Sequence, residues 1–122
     1  FPIHPRTKAR IESYGLGIPG GVQLIEPVGF FEFLVLEKNA RLVLTDSGGV
    51  QEESCIMKVP CVTLRKDTER PETVEVGGNA LTDLTVDDIT LKVGQMLNKP
   101  ASWSNPFGDG KAAERILDAI LR

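Results

Sequence analysis

The sequence predicts a three-layer α/β domain built on a parallel sheet, and three observations carry that expectation. Short strand-like runs at Val22 to Ile25, Leu42 to Leu44, Val59 to Leu64 and Asn79 to Thr82, the third of them apolar and β-branched, alternate with stretches of helical period. The connections between them are short, so successive strands join by right-handed crossovers through the intervening helices. Finally, Leu42 to Leu44 runs through Thr45-Asp46-Ser47-Gly48-Gly49 directly into a helix from Val50 onward. Such a strand-turn-helix junction presents free backbone N-H groups, at the positive end of a helix, along the carboxyl edge of a sheet.

The elements follow in order. Phe1 to His4 reads as the end of a strand, and Pro5 then suits the first turn of a helix running through Thr7 to about Tyr14. Gly15, Gly17, Gly20 and Gly21, with Pro19 among them, form a loop before the short strand Val22 to Ile25, which Pro27 and Gly29 close. Phe30 to Asn39 reads as a helix with Phe30, Phe33, Leu34 and Glu37 along one side. In the central helix Val50, Ser54 and Met57 recur at helical spacing, which puts Val50 at the centre of a buried stripe, Glu53 at its edge and Glu52 almost opposite.

The strand Val59 to Leu64 ends in a charged loop, Arg65-Lys66-Asp67-Thr68-Glu69-Arg70-Pro71-Glu72, again at a carboxyl edge. After Asn79 to Thr82, a helix from Val86 to Leu97 is entered through Thr85 or Asp87. A Pro- and Gly-rich loop from Lys99 to Gly110 holds the only Trp, and Lys111 to Leu121 closes the chain as a helix with Ala112, Ile116, Ala119 and Ile120 on one face.

Bulk properties narrow the function. At 122 residues the chain has the size of one domain, and an apolar content of 41% is enough for a core. A net charge of -3 with scattered Lys and Arg argues against nucleic acid and against an acidic membrane surface. No apolar run nears the roughly 20 residues of a membrane span and no signal-like leader is present, so the expected location is cytoplasmic. Cys55 and Cys61 lack metal spacing and read as buried reduced thiols, and a single histidine argues against a His-based metal centre. The opening Phe1-Pro2-Ile3-His4 suggests a fragment of a longer protein.

Two chemistries suit the central turn equally on spacing alone. Gly48 and Gly49 allow close approach of a phosphate, Ser47 offers it a hydroxyl, and Glu53 could accept hydrogen bonds from a ribose diol. The same residues also suit plain helix capping by Ser47, with Glu52 and Glu53 favoured by the helix dipole. The turn is neither a Walker nor a GxGxxG signature.

Four segments taken together decide more. Phe1-Pro2-Ile3-His4-Pro5-Arg6-Thr7, Leu44-Thr45-Asp46-Ser47-Gly48-Gly49-Val50-Gln51-Glu52-Glu53, Thr68-Glu69-Arg70-Pro71-Glu72 and Asn105-Pro106-Phe107-Gly108-Asp109-Gly110 closely resemble the non-hydrolysing UDP-N-acetylglucosamine 2-epimerases, end to end. The resemblance implies a Rossmann-like sheet forming the C-terminal half of a two-lobe enzyme of the GT-B type. Residues 1-122 would be the nucleotide-sugar-binding lobe, incomplete because its first strand and helix are absent. The family's catalytic acids belong to the other lobe, so the fragment alone should not turn over substrate. In a doubly wound order the absent strand would be central, leaving a gap beside unpaired backbone groups.

By the same resemblance, Ser47, Gly48 and Gly49 match the diphosphate turn, Glu53 the ribose carboxylate, Phe33 the aromatic on uracil and His4 an active-site acid, base or phosphate contact. Phe33 equally suits the core, and a lone strand-end histidine is often structural. Arg65 and Arg70 carry charge suited to a diphosphate, the alternative being ion pairs with Glu69 or Glu72, and Arg6 is a weaker candidate. Asp109 or Gly110 would lie near the cap of the last helix. The implied reaction interconverts UDP-N-acetylglucosamine and UDP-N-acetylmannosamine with no metal or redox cofactor, in a homodimer, for surface polysaccharide synthesis. The alternatives are a GT-B glycosyltransferase lobe and a non-catalytic nucleotide-sugar-binding module.

Overall fold

The computed structural model describes residues 1-122, which form two compact units, Phe1–Val35 and Leu36–Arg122. In the first, helix α1 covers Pro5–Ser13. Pro5 opens it where a missing N-H costs nothing, and the His4 side chain caps it by accepting the Arg6 N-H at 3.2 Å. It ends as Tyr14 passes to Gly15, whose φ of +61° places the chain in the left-handed region that glycine tolerates. No residue of α1 is buried.

The strands expected at Phe1 to His4 and Val22 to Ile25 reduce to one parallel bridge, Pro2 to Ile25. Ile3 N-H donates to the Ile25 carbonyl and Ile25 N-H to the Phe1 carbonyl, each at 3.0 Å. The ladder stops there because Pro2 has no N-H to donate and Pro27 follows closely on the other segment. Helix α2, Phe30–Lys38, begins in this unit and runs into the next. Phe30 and Phe31 are exposed while Glu37 is buried, so its apolar sequence does not define its covered face.

The second unit holds a three-stranded parallel sheet of β1 (Val43–Thr45), β2 (Cys61–Thr63) and β3 (Asn79–Leu81) in that order. Val43, Leu44 and Thr45 pair with Cys61, Val62 and Thr63, which pair in turn with Asn79, Ala80 and Leu81. Every residue of the middle strand is buried, as its apolar, β-branched sequence requires. Helix α3, Gly48–Ile56, connects β1 to β2 and packs on both, and the short α4, Pro71–Glu75, connects β2 to β3. Helix α5, Val86–Leu97, packs on β2 and β3, and α6, Ala112–Leu121, ends the chain. This is the parallel α/β arrangement that the alternating pattern predicts.

Val59, Cys61, Val62, Met96 and Trp103 line the core with Cys55, and both thiols are free and fully buried, as expected. Trp103 brings the irregular segment before α6 onto this core: its indole N-H donates to the Cys55 carbonyl at 3.0 Å. Lys58 donates to the Trp103 carbonyl and lies over its ring. The five-residue α4 falls where no helix was expected. Along α6 the face of Ala112, Ile116, Ala119 and Ile120 is exposed, with no residue of the helix buried. No helix is long and apolar enough to cross a membrane.

Candidate functional site

The carboxyl ends of β1 and β2 bring two of the singled-out segments together. Strand β1 delivers Thr45, whose hydroxyl oxygen accepts the Ser47 N-H at 3.0 Å and bends the chain into α3. Ser47 occupies the N-cap position of that helix, yet its side chain makes no capping bond. Plain capping therefore does not account for this serine. Its exposed hydroxyl stands beside the first N-H groups of α3, which have no acceptor within the helix.

The two glycines of the turn differ. A Cβ on Gly49 would meet only the Ser47 hydroxyl, at 3.9 Å, so its outer side is open. A Cβ on Gly48 would stand 2.2 Å from a carboxylate oxygen of Glu69, which lies against the turn from the β2 loop. Glu69 is held there by Arg65 at 3.0 Å, with Asp67 3.7 Å from the same guanidinium. A hydrogen bond from its own backbone N-H, with the nearby Arg65 and Arg70 charges, holds its carboxyl below the usual range. Arg65 thus does pair with Glu69, whereas Arg70 pairs with Glu52 of α3 at 2.5 Å and not with Glu72. Both arginines border the turn through carboxylates.

Beneath the turn a buried polar network fixes the loop to the helix. The Gln51 amide oxygen accepts from the Thr68 hydroxyl at 2.5 Å and from the Asn79 amide at 3.3 Å. Asn79 also donates to Thr73 at 3.0 Å and accepts from the Thr63 hydroxyl at 2.8 Å. Thr68 in turn accepts the Arg70 N-H, and Thr73 donates to the Arg70 carbonyl. One glutamine therefore couples the helix carrying the glycine turn, the arginine loop and the third strand. Its presence was not read from the sequence, although a Gln and an Asn inside otherwise core-facing segments were the available signal.

That network also corrects the face assigned to α3. The fully buried positions are Gln51, Ser54 and Cys55, so Val50 is not the centre of the covered stripe and Glu53 does not lie at its edge. The Gln51 oxygen is held by Thr68 and Asn79, which lets this polar residue be covered as thoroughly as an apolar one. Its amide nitrogen and the Ser54 hydroxyl are buried without a partner. Half-buried Glu53 instead meets Glu37 of α2, which is 3% exposed. Burial first, and then the Glu53 carboxylate, push the Glu37 carboxyl up to about 7. No N-H or hydroxyl group donates to either of its oxygens.

The remaining expected residues, His4, Arg6 and Phe33, belong to the first unit. His4 is exposed, and with Nδ1 accepting the Arg6 N-H, the neutral ring carries its proton on Nε2. Arg6 is exposed in the first turn of α1, and Phe33 is half-buried on α2. The last singled-out segment is structural: Asp109 accepts the Lys111 N-H at the start of α6 and grips Arg115 through both oxygens, at 3.0 and 2.6 Å.

Comparison with known proteins places the chain in a family. A family model described as UDP-N-acetylglucosamine 2-epimerase matches residues 1–121. The UDP-N-acetylglucosamine 2-epimerase of Methanocaldococcus jannaschii is 57% identical over 121 residues, covering 96% of this chain and 33% of that protein. Its counterpart from Methanococcus maripaludis is 49% identical over 125 residues, covering 99% of this chain and 34% of its own. The crystal structure of the M. jannaschii enzyme in complex with UDP-GlcNAc and UDP matches with a TM-score of 0.89 at 55% identity, over 99% of this chain and 34% of that one. The chain therefore spans about a third of the length of the curated relatives it matches. Matched from Phe1 almost to its last residue, it belongs to the UDP-N-acetylglucosamine 2-epimerase family.

Proposed function

We propose that this chain is the nucleotide-sugar-binding, C-terminal lobe of a GT-B type enzyme that interconverts UDP-N-acetylglucosamine and UDP-N-acetylmannosamine. The observation that carries the reading is the β1-turn-α3 junction. Ser47 stands at an N-cap without capping, beside Gly49, whose outer side is open, and N-H groups that need an acceptor. Family membership supplies the ligand: the relative's structure holds UDP-GlcNAc and UDP. In this reading Ser47, Gly48 and Gly49 hold the diphosphate and Glu53 accepts from the ribose diol. Phe33 packs on uracil, His4 contacts phosphate or moves a proton, and Arg65, Arg70 and Arg6 supply positive charge.

The reaction eliminates UDP from C1 with loss of the C2 proton, giving a 2-acetamidoglucal. UDP then re-adds to C1 as a proton returns to the opposite face of C2, which inverts that centre. The work of this lobe is to retain UDP while its bond to the sugar is broken and to stabilise the charge of the leaving diphosphate. The remaining lobe brings the catalytic acids, and the assembled protein is a homodimer.

Calorimetric titration of the full-length protein with UDP, with uridine as control, tests the reading. UDP should bind, uridine more weakly, and a Ser47→Ala, Glu53→Ala double variant should lose most of the UDP affinity. Equal UDP binding by a folded double variant would remove the site from this turn. Product analysis with and without an acceptor sugar separates epimerisation from glycosyl transfer.

A further inference from the structure

The proposed ribose carboxylate has a neighbour that the resemblance does not account for. Glu37 is an acid in a buried position, 3% exposed, with no donor at either oxygen. An ionised carboxylate in that setting would be uncompensated, and it faces a second carboxyl, Glu53. Two carboxyls so placed do not both ionise readily. The more deeply buried member keeps the proton, which assigns it to Glu37 over half-buried Glu53. A protonated carboxyl is a hydrogen-bond donor, and Glu53 is the acceptor that Glu37 faces.

We propose that Glu37 is a positioning residue that remains protonated and donates its hydrogen to Glu53, holding that carboxylate aimed at the ribose diol. The inference rests on the reading of Glu53 as the ribose ligand. A further titratable group beside Glu37 leaves its proton in place. From β2 the acting group is the Cys61 thiol, which burial pushes up to about 12 and which is therefore neutral. No lysine or arginine is among the groups that shift it. Raising the pH through the Glu37 transition strips the donor and sets two negative charges face to face, so affinity for the nucleotide falls.

The test is the Kd of the full-length protein for UDP-N-acetylglucosamine between about pH 6 and pH 8, in wild type and Glu37→Gln. Each phosphate of this ligand carries one ester and the bridging anhydride oxygen, so it has no second phosphate proton to exchange in that range. The amide of the variant donates at every pH, and taking the ratio of the two Kd values cancels every pH effect that the two proteins share. The ratio of wild type to variant should be near unity at pH 6 and reach about tenfold at pH 8, where about a tenth of Glu37 would still be protonated.

A ratio that stays constant while Glu53→Ala weakens binding overturns the positioning role and leaves the nucleotide site intact. Unchanged binding in Glu53→Ala overturns the site itself, and the inference with it. Should Glu37→Gln fail to fold, carboxyl carbon-13 NMR of the wild type decides. The Glu37 midpoint should rise when the nucleotide sugar binds, because the protonated form binds better. A midpoint that does not move overturns the proposal.

Discussion

Glu37 also has a consequence for stability apart from any ligand. Its folded-state value of about 7 lies above the ordinary 4.5, so between those values the folded chain holds a proton that the unfolded chain has released. Stability is then fully present below about pH 4.5 and declines as pH rises through 7, by about 3 kcal/mol in all. Urea midpoints of wild type should fall from pH 5 to pH 8, and Glu37→Gln should remove that slope. Gly78 makes a second test at this scale. A Cβ there would stand 3.0 Å from the Trp103 ring and 3.2 Å from the Cys55 sulfur, both fixed in the core. Gly78→Ala should therefore cost about 1–3 kcal/mol, read as a lower urea midpoint at unchanged slope.

Among the elements, α5 depends on one residue at its start. Thr85 accepts the Asp88 N-H at 3.2 Å and donates to Asp83 at 2.6 Å, closing the N-terminus of the helix. Thr85→Ala should cost about 1 kcal/mol by thermal unfolding, with most of it restored in Thr85→Ser. This helix was legible in the sequence to the residue, from Val86 to Leu97, because a capping threonine and a clear apolar period agree. Other elements were less legible for definite reasons. Five-residue α4 is too short to show a period, and Pro71 at its first turn was its one local sign. The buried face of α3 is polar, so hydrophobicity pointed one residue away, to Val50, from the glutamine that anchors it. Ser47, Gly48 and Gly49 were visible as a turn, but that Glu69 lies against Gly48 depends on a contact across twenty-one residues of chain that no local pattern encodes.

For the molecule as a whole, protection should be uneven. The first unit has one bridge, an α1 with no buried residue and an exposed loop from 15 to 21, so its amides should exchange through small local openings. The β2 amides, paired on both sides inside a buried strand, should exchange slowest in the chain. Hydrogen exchange followed by fragment mass measurement separates the two; uniform protection would contradict the division into units of unequal robustness.

The same core contains a built-in clock. Cys55 and Cys61 are the chain's only thiols and neither exposes any surface, while burial raises both and keeps them unreactive. A disulfide reagent in solution can reach them only when the packing around α3 and β2 opens. The rate at which colour develops with such a reagent thus counts the openings of the second unit, with no label, mutation or ligand needed.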